Sequence, residues 1–79
     1  QFEIQCMKDE QWRQLAKGLL KSEIARRDLN YVEVSEKLKA IGINESSQNI
    51  SNKIGRGKFS AVFMLQVLTA IGCEDINIK

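Results

Sequence analysis

Leu29-Asn30-Tyr31-Val32-Glu33-Val34-Ser35-Glu36-Lys37-Leu38-Lys39-Ala40-Ile41-Gly42 reads as one short helix with both ends marked. Asn30 has the short polar side chain that accepts a hydrogen bond from an amide left unpaired in the first turn. Glu33, three residues on, is placed to reach back to the Asn30 amide, a capping-box variant. Leu29 and Val34 fall on the two positions of a hydrophobic staple. Leu38 and Ile41 continue the apolar face. Gly42 ends it, since glycine takes the left-handed conformation without strain, and Ile43 can then fold back on Leu38.

Moving towards the N-terminus, Trp12, Leu15, Ala16, Leu19, Leu20 and Ile24 recur at three-and-four spacing and predict a first helix with one apolar face. Asp9 is its expected N-cap, with Glu10 in the first turn and Arg26 and Arg27 in the last, where the helix dipole favours each sign. Gly18 lies inside this helix at a cost of about 1 kcal/mol relative to alanine, which suggests a close approach by another helix.

Towards the C-terminus, Ile43-Asn44-Glu45-Ser46 forms a turn in which Asn44 or Ser46 can cap a third helix, Ser46 being preferred. Ile50 and Ile54, four apart, are the apolar residues of that helix, which closes at Gly55-Arg56-Gly57. Ser60 caps a fourth helix, with Phe59 and Met64 placed as a staple. Ala61 to Ile71 is apolar nearly all round, the pattern of a helix central to the core or half-buried in a dimer, and Gly72 ends it. Residues 2–6 and 75–78 alternate apolar and polar, a short strand signal at each terminus. The expected architecture is an all-α, four-helix domain spanning residues 1–79. Its helical core covers about 9–72, with short strand stubs at both termini.

Composition narrows the function. The 79 residues suit one domain with a modest core. At 43% hydrophobic and 28% charged, the chain is globular rather than disordered in character. No apolar run approaches the ~20 residues of a membrane span, and no signal-peptide pattern is present; a cytoplasmic, nucleoid-associated location is expected. With no histidine, a Cys/His zinc site is excluded and the usual general base is missing. No phosphate loop or nucleophile elbow stands out. Neither a metal, a cofactor, a small-molecule substrate nor enzyme activity is expected. Cys6 and Cys73 leave open a bridge between the ends or two separate small apolar groups. Net charge is only +2, but residues 11–30 hold five basic groups against two acidic, and residues 45–60 three against one. Those two segments are candidates for one basic face.

The third helix is unusual. With Ile50 and Ile54 inward at about 100° per residue, Gln48 and Asn52 point outward, Asn49 and Arg56 take one shoulder and Ser51 the other. Short amide and hydroxyl side chains of this kind match base edges, a side-chain amide pairing with the N6 donor and N7 acceptor of adenine at about 1–3 kcal/mol of discrimination. Lys53, Arg56 and Lys58 follow the exposed side, and Asn30 and Tyr31 open the preceding helix, whose free amides attract anions. The plainer alternative is a solvated polar surface.

Residues 29–38 resemble the second helix of lambda-repressor-like (Cro-type) helix-turn-helix domains, with Ser35 where that family keeps a small residue against the facing helix. Ile50-Ser51 and Arg56-Gly57-Lys58 resemble segments around its recognition helix, and Ser60 to Gly72 its following core helix. The likeness covers roughly residues 12–72. The run Asn52 to Ser60 also resembles a compact bacterial family of this type whose function is unassigned. Tyr31 stands where many relatives carry a phosphate-binding glutamine, the turn is longer than usual, and too few residues follow Gly72 for a fifth helix. The resemblance implies non-catalytic, sequence-specific binding of double-stranded DNA by a transcriptional regulator acting as a homodimer. The recognition helix, at about 46–56, would read bases through Ser47, Gln48, Ser51 and Asn52. Asn30, Tyr31, Asn49, Lys53, Arg56 and Lys58 would contact phosphates. The alternative is a protein-interaction module or adaptor that uses the apolar fourth helix.

Overall fold

The computed structural model describes residues 8–74. They form four helices, α1 (Asp9–Arg26), α2 (Tyr31–Ala40), α3 (Ser47–Arg56) and α4 (Ala61–Ala70), with no strand among the described residues. The domain is all-α. The strand stubs expected at residues 2–6 and 75–78 lie outside the described residues, as does Cys6.

Three helices start as their capping residues dictate. Asn30 Oδ1 accepts from the Glu33 amide at 2.8 Å while the Asn30 amide donates to Glu33 Oε1 at 2.9 Å, a complete capping box. Ser46 Oγ accepts from the Asn49 amide at 3.1 Å, and Ser60 Oγ from the Phe63 amide at 3.0 Å. The first helix departs from expectation, because Lys8 rather than Asp9 is its N-cap. The Lys8 carbonyl accepts from the Gln11 and Trp12 amides, which pulls the start one residue back and leaves Asp9 inside the first turn. The Lys8 amide is satisfied by Gln11 Oε1 at 2.9 Å.

The C-termini of α1, α2 and α4 repeat one device. In α2, Gly42 at φ +88° donates to the Lys39 carbonyl, and the Ile43 amide reaches back to Leu38 at 2.9 Å. In α4, Gly72 donates to Thr69 and Cys73 to Leu68; in α1, Asp28 donates to Ala25 and Leu29 to Ile24. Each is a Schellman motif, and each brings an apolar or thiol side chain back onto the core next to a buried residue five positions earlier.

The core is Leu20, Ile24, Val34, Leu38, Ile50, Ile54, Phe63, Val67, Leu68 and Ile71. Here α3 and α4 each pack on both α1 and α2. Two residues expected inside are outside: Trp12 is 43% exposed and Ile41 47%. Trp12 lies about 80° round the helix from Leu20, at 100° per residue, and so sits on a flank. Ile41 has left the helical face as the C-cap. Gly18 is exposed with open space where a Cβ would go, so no helix approaches it. The close approach is at Gly57 instead, where a Cβ would lie 2.7 Å from the Arg13 carbonyl oxygen.

Candidate functional site

Helix α3 buries only Ile50 and Ile54. Gln48 and Asn52 are both exposed, one turn apart, and Gln48 Nε2 donates to Asn52 Oδ1 at 3.5 Å. That weak bond turns the two amides towards each other. It leaves the Gln48 carbonyl oxygen as an acceptor and the Asn52 amino group as a donor, neither bonded among the described residues. Ser47 and Ser51 are partly buried on the same helix, and Asn49 and Arg56 are exposed. Lys58, exposed, follows in the connection to α4.

Four contacts hold this helix at a fixed height on the domain. The Ser35 hydroxyl of α2 donates to the Glu45 carbonyl at 2.6 Å, tying the turn before α3 to the helix behind it. Glu45 also pairs through its carboxylate with Lys53, whose ammonium lies 4.8 Å from the centroid of the Phe63 ring on α4. Gly57, buried and left-handed at φ +69°, brings the end of α3 onto the backbone of α1 at Arg13.

The residues expected to contact phosphates are therefore not equivalent. Arg56 and Lys58 form no ion pair among the described residues. The charge of Lys53 is already engaged by Glu45. Asn30 uses its side-chain oxygen as the α2 cap. Tyr31 is partly buried, and desolvation raises its phenol above the ordinary 10.0, so the hydroxyl stays protonated as a donor. Tyr31 and Asn30 line a shallow, mostly apolar groove of about 290 Å³ with Lys21, Ile24, Ala25 and Leu29.

The sequence pattern did not disclose two polar features. Glu45 serves both Ser35 and Lys53 across separations of ten and eight residues, and such non-local pairs leave no periodic trace. Glu23 is almost fully buried, yet takes Arg27 at 2.7 Å, Arg26 at 3.2 Å and the Cys73 thiol at 3.6 Å. The spacing to Arg26 and Arg27 was visible; the burial came from the packing of α1 against α4.

Residues 12–76 match the family described as a domain of unknown function, DUF6471. The chain belongs to this family. The matched span begins at Trp12 and so includes the Arg13–Gly57 contact and all of α2, α3 and α4. It agrees with the resemblance of residues 52–60 to a compact family of unassigned function. No curated protein and no solved structure matches the chain. Among the described residues no helix is long and apolar enough to cross a membrane.

Proposed function

We propose that the chain is a sequence-specific double-stranded DNA-binding domain of the helix-turn-helix kind, acting without catalysis as a transcriptional regulator. In this reading α2, the turn at residues 41–46 and α3 form the motif, and α3 enters the major groove. The observation that carries it is the exposed Gln48–Asn52 amide pair on a helix whose only buried residues are Ile50 and Ile54. An α-helix fits the major groove of B-DNA, and paired amide donors and acceptors are what base edges there can distinguish. Ser47 and Ser51 flank the pair and reach neighbouring edges. Arg56 and Lys58, free of carboxylates in the described domain, take phosphates and fix the register.

A single ten-residue recognition helix covers a small footprint, so the functional unit is proposed to be a homodimer reading two half-sites about one helical turn apart. Selection from a random duplex library at a fixed salt concentration tests the reading. The expected result is one enriched site bound at least ~10³-fold tighter than unrelated duplex. Recovery of no common site contradicts it.

One observation supports a second reading. Helix α4 contains no charged residue, and Val62 and Leu65 are 62% and 57% exposed. A domain whose purpose was to dock another protein through α4 would present such a face. That reading expects a stable hetero-complex and duplex binding no tighter than ~10⁻⁴–10⁻⁶ M.

A further inference from the structure

We infer that Lys17 and Lys21 of α1 form a second contact strip for duplex DNA, gripping the phosphate backbone beside the groove that α3 enters. The inference rests on the DNA reading above and adds a surface that lies outside the helix-turn-helix.

Lys17 and Lys21 are four residues apart and so share one face of α1. Both ends of that face meet the proposed site. At one end Lys21 lines the groove shared with Asn30 and Tyr31, at the start of α2. At the other end is Arg13, one turn before Lys17. Its carbonyl abuts Gly57, which lies between Arg56 and Lys58. The strip therefore joins the N-terminus of α2 to the C-terminus of α3, continuous with the cations already assigned to phosphates.

Charge separates these two lysines from the other cations of α1 and its C-cap. Arg13 is held by Glu10 at 2.6 Å, and Arg26 and Arg27 are held by Glu23. Among the described residues neither Lys17 nor Lys21 forms an ion pair within 4 Å, and Lys17 has only a longer-range attraction to the Glu10 carboxylate, which Arg13 already holds. Lys17 is partly buried and Lys21 exposed, each on a flexible stem that suits a point contact with phosphate. From Lys17 to Lys21 the helix rises about 6 Å. In this inference each of the two ammonium groups takes one phosphate. Such contacts add affinity for any duplex and carry no sequence information.

The test is a set of fluorescence-anisotropy titrations of a labelled duplex over a range of salt concentrations. It compares the full chain with the Lys17→Gln/Lys21→Gln double variant, with Arg56→Ala and with Lys37→Gln. Lys37 is the charge control, lying about 160° round α2 from Ser35 at 100° per residue, away from the turn that precedes α3. Circular dichroism establishes that each variant is folded. The expected result is a double variant whose slope of log K against log salt is shallower by about 1.8 per chain, at 0.9 per phosphate contact. Its loss should be equal on selected and scrambled duplexes, with Lys37→Gln close to the unaltered chain. Unchanged binding by the double variant, alongside weakened binding by Arg56→Ala, overturns the strip and leaves the DNA reading standing. An equal loss in Lys37→Gln, allowing for its single charge, also overturns the strip, because net charge alone then explains the effect. Absence of salt-dependent duplex binding by the unaltered chain overturns the DNA reading and the strip together.

Discussion

Gly57 lies so close to the Arg13 carbonyl oxygen that any Cβ there would sit 2.7 Å from it. The glycine is required twice, once for its left-handed φ of +69° and once for the space. This contact sets where α3 ends on α1, and so where Arg56 and Lys58 emerge. Schellman glycines such as Gly42 meet only the first requirement, since a Cβ at Gly42 would find open space.

Gly57→Ala is therefore expected to destabilise the domain more than Gly42→Ala. The left-handed backbone alone costs an alanine about 1–2 kcal/mol. The clash with a helix backbone adds to that at Gly57, for a total on the order of 2–4 kcal/mol. Urea denaturation of the two variants makes the comparison, and equal losses would remove the packing role assigned to Gly57.

Asp28 occupies in α1 the position that glycine occupies in α2 and α4, with φ +57°. Its carboxylate also stands at the negative end of the helix dipole. Asp28→Gly relieves both, offset in part by the greater freedom of glycine in the unfolded chain. The expected gain is about 0.5–1 kcal/mol, or a rise of several degrees in Tm for a domain of this size. A thermal melt that shows no gain would mean that Asp28 makes a compensating interaction.

The Glu23 carboxyl is held below its ordinary value of 4.5, first by the hydrogen bond from Arg27, against the opposing effect of burial, with Arg26 assisting. Because the folded value lies below the unfolded one, the ionised group stabilises the fold above the unfolded value. That contribution is lost as pH falls through the folded value. Glu23→Gln lacks this dependence. The stability difference between the unaltered chain and Glu23→Gln should be largest near about pH 7 and shrink below about pH 4. A gap that stays constant into acid would mean that the Arg27 bond does not set the protonation of Glu23. Glu10 is lowered too, mainly through Gln14 and then Arg13, but it is common to both proteins and cancels in the comparison.

Local chemistry made most of the fold legible. Asn30, Ser46 and Ser60 sit where capping requires them, and Gly42, Gly57 and Gly72 where left-handed backbone does. The Ile50–Ile54 stripe needed only helical periodicity. What escaped were facts about distance and depth. Trp12 fits the apolar spacing of α1 yet lies off the line that packs, and the tight glycine is Gly57 rather than Gly18. Spacing orders residues round one helix; which arc of that helix is covered depends on where its neighbours cross. The candidate site divides in the same way. The exposure of Gln48 and Asn52 followed from Ile50 and Ile54. The engagement of Lys53 by Glu45 and Phe63 depends on the turn and on α4, which no spacing within α3 encodes.

The central claim is that Gln48 and Asn52 read bases together. The most direct measurement is a double-mutant cycle with Gln48→Ala and Asn52→Ala, titrated against the selected duplex and a scrambled one at one salt concentration. The expected result is a loss of about 1–3 kcal/mol for each single variant on the selected duplex, roughly 10- to 100-fold, and little loss on the scrambled duplex. The double variant should lose less than the sum of the two, because each amide orients the other. Equal losses on both duplexes, or no loss on either, would contradict base reading by this pair.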